Sequence, residues 1–164
     1  MRFQVEHRFA APVPAVAELL VDPGFHRGLR LPDLELLDVV DHRDDGKAAL
    51  LSLRYAYVGQ VDPIVTRLLG GRRLAWVQEL AVDRVTGDGH LSLAVEGGGD
   101  RLHGLARFTL HGEGGETVWA LRGEIEVRVP LVGGTAERRI LAGFLQRLDL
   151  EARHLAERLG ADGG

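Results

Sequence analysis

Cysteine is absent from this 164-residue chain, which excludes disulfides, thiolate metal sites and cysteine nucleophiles. Lysine is nearly absent too. Lys47 stands alone among the basic residues, the rest being arginine, a pattern of coding bias rather than of individually selected guanidinium sites. Long apolar runs are missing: none approaches the ~18 residues of a membrane helix. Met1-Arg2 leads straight into alternating sequence, so no signal peptide is expected. A basic excess is also lacking. The net charge is -4 with both signs interspersed, so no electrostatic footprint for nucleic acid is present. Aromatics make up only 5% of the residues, so the placement of the few large rings carries information. What is present, 45% hydrophobic and 27% charged residues, is enough to bury the core of one globular domain. The expectation is a single domain over residues 1–160 with a frayed tail at 161–164. The expected location is cytoplasmic, without a nucleic-acid partner or stable membrane insertion.

The last third of the chain is the most legible. Over residues 117–129, Thr117, Trp119, Leu121, Gly123, Ile125, Val127 and Val129 share one face, while Arg122, Glu124, Glu126 and Arg128 take the other. This period of two predicts a long antiparallel strand with one wet face, closed by Pro130, which cannot donate to a ladder. Residues 135–159 then read as one amphipathic helix. Its apolar stripe is Ile140, Leu141, Phe144, Leu145, Leu148, Ala152, Leu155 and Leu159, with Arg139, Gln146, Arg153 and Glu157 opposite.

Earlier segments are shorter. Alternation of Phe3, Val5, His7 and Phe9 predicts a first strand, followed by helical stretches over residues 15–21 and 25–30. Strands are predicted at 34–42, 49–57, 74–82, 90–95 and 102–111, separated by turn signals such as Asp44-Asp45-Gly46. Residues 59–71 interrupt the pattern. Their apolar piece after Asp62-Pro63 is read as a short helix or ordered loop covering one end of a cavity. The order is β-α-α-β-β-β-β-β-β-α, an α+β chain whose curved antiparallel sheet must wrap around the long C-terminal helix.

That order is the helix-grip fold, and the chain resembles the START-like (SRPBCC, polyketide-cyclase-like) superfamily. Within it, three stretches are similar to a family of high-GC bacteria that carries no assigned activity. They are Met1-Arg2-Phe3-Gln4-Val5-Glu6-His7, Arg67-Leu68-Leu69-Gly70 and Val129-Pro130-Leu131-Val132-Gly133-Gly134. The resemblance implies a hydrophobic cavity between sheet and helix, and brings no catalytic signature with it.

The residues themselves hold no reactive constellation. Seven histidines are scattered without metal-ligand spacing. No serine has a histidine and aspartate arranged around it, and Gly97-Gly98-Gly99 lacks the lysine and hydroxyl of a phosphate loop. No catalytic residue, metal or cofactor is assigned. His7, alone among apolar neighbours on its strand, is either a core histidine with a hydrogen-bond partner or a polar contact for a ligand. Tyr55, Tyr57, Trp76, Gln78 and Trp119 fall on apolar strand faces, where core filling and cavity lining need the same residues.

The candidate ligand-binding set is therefore His7, Tyr55, Tyr57, Trp76, Gln78 and Trp119, closed from the helix by Leu141, Phe144 and Leu145. Such an interior suits a small hydrophobic partner: a lipid-, sterol- or polyketide-like molecule. Phosphate-bearing ligands are expected to fit badly, since no inward cation is recognised. Two rival readings remain, a cyclase or aromatase-type enzyme and an interaction module with a filled core. The fold does not choose between them.

Overall fold

Strand β1 (Arg2–Phe9) forms from the opening alternation. Helix α1 (Val13–Leu20) follows with Pro14 in its first turn, where a missing N–H costs nothing, and buries Val16, Leu19 and Leu20. Helix α2 (Pro23–Gly28) is capped by Asp22, whose side chain accepts from the Gly24 N–H at 3.0 Å. His26 is buried at this corner, its Nε2 lying 2.8 Å from the Leu20 carbonyl oxygen. Then come β2 (Leu34–Asp44), β3 (Ala48–Tyr57), α3 (Pro63–Leu68), β4 (Ala75–Asp83) and β5 (Asp88–Val95). A 3-10 turn at Gly99–Arg101 precedes β6 (Leu102–Glu113), β7 (Glu116–Val127) and α4 (Gly133–Asp162). This computed structural model describes residues 1–131 and 133–162.

The seven strands make one antiparallel sheet in the order β1-β7-β6-β5-β4-β3-β2. The β2-to-β7 meander is joined by short connections except between β3 and β4, where α3 intervenes, while α1 and α2 carry the chain from β1 at one edge to β2 at the other. Two register shifts bend β2, between Leu36 and Asp38 and between Val39 and Asp41. At Gly123 in β7 the strands approach so closely that a Cβ would stand 2.3 Å from the Leu105 carbonyl oxygen. These features give an open, curved sheet around a long helix: the α+β helix-grip arrangement.

Most boundaries shift by one to three residues, and three of the shifts, around β7 and α4, bear on the site. Strand β7 ends at Val127, not Val129, because its partner β6 begins at Leu102, directly opposite Val127. Beyond that point a single bond continues, from the Arg128 N–H to the Arg101 carbonyl at 2.8 Å. Helix α4 begins two residues early, where Glu137 accepts the free Val127 N–H at 2.9 Å and ties helix to strand. It also runs through Asp162, into the expected tail. Residues 163 and 164 of that tail lie outside the described residues, as does Val132 of the quoted turn.

At 30 residues α4 is about 45 Å long. No helix among the described residues is long and apolar enough to cross a membrane. Helix α4 packs mainly against β7 and β1, with α1 beside it. Leu148 and Leu155 are fully buried there, each contributing roughly 1.5–3 kcal/mol of apolar burial. Phe3 of β1 meets Phe144 edge-on, ring centroids 5.5 Å apart. The helix therefore leans toward one flank of the sheet and leaves space above β4 to β6.

Candidate functional site

That space is a cavity of about 390 Å³, within the range of roughly 300–1,000 Å³ typical of small-molecule sites. Its floor is Trp76, Leu93, Val95 and Leu102 from β4, β5 and β6. Helix α4 forms the opposite wall through Ile140, Gly143, Phe144, Arg147 and Leu150, residues spaced by three or four so that they share one face. Leu31, Pro32, Tyr57, Val61 and Val65 close the end. Asp62 caps α3, accepting from the Ile64 N–H at 2.8 Å, and also forms an ion pair with Arg139 of α4. The short helix after Asp62-Pro63 thus covers one end of the cavity and is fastened to the helix it faces. A second cleft, at the other end of the molecule, is bordered by Glu18, Asp22, His42, Asp44 and Arg84 and offers charge in place of aromatic wall.

Of the nine candidate residues, Tyr57, Trp76 and Phe144 stand on the cavity wall. Tyr55 lies just behind it, its ring stacked on Trp76 at 5.9 Å and 24°. Gln78 is buried one strand pair further along β4, beside Leu53 and Leu93. Trp119 and His7 form a cross-strand pair away from the cavity, their rings 5.7 Å apart. His7 Nε2 donates to Asp149 Oδ1 at 2.9 Å, so this histidine holds the helix to β1. Leu141 and Leu145 pack into the core on the same flank. The structure brings the aromatic residues of β3 and β4 together and separates them from those of β1 and β7.

The expectation that no cation points inward is corrected by Arg147. It is 6% exposed, lines the cavity, and lies over the Tyr55 ring at 4.8 Å. Its Nη2 donates to Glu151 Oε2 at 3.5 Å, and Glu151 is 1% exposed. Charged residues on a helix ordinarily face water, so residue type does not mark these two as interior. Yet Ile140, Phe144, Arg147, Glu151 and Leu155 follow a single helical stripe, and that spacing was the available signal. Burial pushes the Tyr55 phenol up to about 12; Arg147 opposes the shift and Glu151 adds to it. Among the described residues, no three His, Asp or Glu side chains converge as a metal would require.

The family described as a protein of unknown function (DUF2505) matches residues 4–159. No curated protein matches the chain significantly. Among solved structures, TTHA0849 from Thermus thermophilus is similar over 100% of both chains, at 18% identity and a TM-score of 0.69. The Zhui aromatase/cyclase from Streptomyces sp. R1128 is 15% identical over 98% of this chain and 94% of its own, TM-score 0.61. A START superfamily protein from Mycobacterium smegmatis is 14% identical over 98% and 97%, TM-score 0.58. At such identities these are likenesses of fold.

Proposed function

Because the chain belongs to the DUF2505 family and has the START-like helix-grip fold, we propose that it binds a small hydrophobic molecule between sheet and α4. The carrying observation is the 390 Å³ cavity, walled by Trp76, Leu93, Val95, Leu102 and Phe144 with a few polar groups at its margin. Apolar walls supply affinity through burial, and sparse polar groups fix orientation. A lipid-, sterol- or polyketide-like skeleton fits that chemistry. The presence of this space speaks against the interaction module with a filled core. No group is assigned a catalytic role.

Trp76 and Trp119 are the only tryptophans, and only the first lines the cavity. A panel of lipids, sterols and aromatic polyketides should therefore quench or shift the emission of Trp76. Binding should also raise the melting temperature by mass action. With Trp76→Phe the emission response should vanish while the thermal shift persists. A panel that moves neither signal would return the filled-core reading to first place.

A further inference from the structure

The polar groups behind the cavity wall are unevenly supplied with partners. Arg147 donates to Glu151 at 3.5 Å, long against the 2.7–2.9 Å usual for a charge-assisted pair. Its Nε is buried with no partner among the described residues. The Trp76 indole N–H is in the same condition, while the Tyr55 hydroxyl has the Arg147 guanidinium beside it. These three belong to one stack, with the guanidinium over the Tyr55 ring and that ring against Trp76. Buried polar groups in folded proteins are nearly always hydrogen-bonded. In this stack the unpaired groups are donors, a guanidinium N–H and an indole N–H beside a phenol that can donate, whereas the unpartnered Gln78 Oε1 further along β4 is an acceptor. Two of the three residues, Arg147 and Trp76, stand on the cavity wall. The complementary group is an acceptor oxygen.

The charge of that oxygen follows from the surroundings. Asp33 and Asp62 border the cavity together with Arg139 and Arg147. Arg139 is already paired with Asp62, and Arg147 with Glu151. With Glu151 behind the wall, three carboxylates stand against two guanidiniums at this site. A ligand carboxylate would add a further buried negative charge beside a cation already matched, at a desolvation cost nothing nearby offsets. A carbonyl or hydroxyl oxygen accepts the same hydrogen bonds without adding charge.

Resting on the binding function proposed above, we infer that the cavity selects apolar molecules bearing a neutral acceptor oxygen, a ketone, ester or hydroxyl, seated against Arg147 as its main donor. The carboxylic acid of the same skeleton is discriminated against.

Three probes of matched skeleton test this by Trp76 fluorescence and calorimetry on the full chain: 4-phenylbutan-2-one, butylbenzene and 4-phenylbutanoate. The ketone should bind about 10-fold more tightly than either of the others, the effect of one hydrogen bond to a charged donor. Arg147→Met alone strands the Glu151 carboxylate and risks misfolding, so the informative variant is Arg147→Met with Glu151→Gln, which keeps the site neutral. There the ketone and hydrocarbon should bind within about 3-fold of each other, since the charged donor is gone. Glu151→Gln by itself leaves the guanidinium unmatched and should raise affinity for 4-phenylbutanoate above that for the ketone. If all three probes bind the native chain alike, or the acid binds best, the inference falls while the binding function stands. If the ketone preference survives in the double variant, Arg147 is not its origin and the inference falls. If not even butylbenzene binds, the binding function falls and this inference with it.

Discussion

His7 Nε2 and Asp149 Oδ1 lie 2.9 Å apart although 142 positions separate them in the chain. This contact joins the first strand to the last helix, on the flank where α4 packs closely against β1 and β7. The cavity lies on the other flank of the same helix. Holding α4 toward β1 therefore keeps the space above β4 to β6 open.

The contact should be measurable by a double-mutant cycle. His7→Ala and Asp149→Ala, alone and combined, should give a coupling of about 1 kcal/mol in urea unfolding, the net value of one intramolecular hydrogen bond. A coupling indistinguishable from zero would mean that apolar packing alone positions the helix.

Tyr55 makes stability depend on alkaline pH. Its phenol ionises at the ordinary value of 10.0 in the unfolded chain and only near about 12 in the folded one. Between these values the unfolded state binds fewer protons than the native state, so stability falls as pH rises. The total loss should be roughly 2–3 kcal/mol, from about two pK units. Denaturant midpoints across pH 9 to 12 should show it, and Tyr55→Phe should remove that share of the decline. An identical decline in the variant would assign it to other groups.

Asp62→Asn should loosen the cover of the cavity without unfolding it. Asparagine keeps the cap on the Ile64 N–H, as Asn and Asp serve equally there, while the ion pair to Arg139 is lost. Hydrogen exchange across α3 should accelerate about 2- to 5-fold, the equivalent of a partly exposed pair worth ~0.5–1 kcal/mol. The amides of β6 and β7 should be unaffected. Unchanged protection of α3 would show that Val65 and Leu69, both buried, hold this segment unaided.

Leu131 is strained and has nothing to lose. Its φ is 70°, in the left-handed region, and its side chain is fully exposed. Leu131→Gly should stabilise the protein by about 1 kcal/mol, since a non-glycine residue costs roughly 1–2 kcal/mol there and the unfolded-chain entropy of glycine offsets part of the relief. Thermal melting would reveal a loss instead if the leucine packs in solution.

Local periodicity was sufficient for the elements. The alternation of β7 from Thr117, the stripe of α4 from Ile140 to Leu159, and the turns between strands are properties of neighbouring residues. They are legible because backbone geometry repeats at 2.0 and 3.6 residues. The seven strands, the single long helix and the antiparallel meander follow from them. Nothing local, however, states where along the sheet the helix comes to rest. That depends on the pairing of β1 with β7 and on contacts such as His7 with Asp149 and Phe3 with Phe144, which link the two ends of the chain. Tertiary structure alone decided that Tyr57, Trp76 and Phe144 share a cavity while His7 and Trp119 do not. It also decided the fate of Arg147 and Glu151. By residue type they belong in water, but they occupy the inward stripe of a helix whose placement turns that stripe toward Tyr55, and there each buried charge is matched by the other.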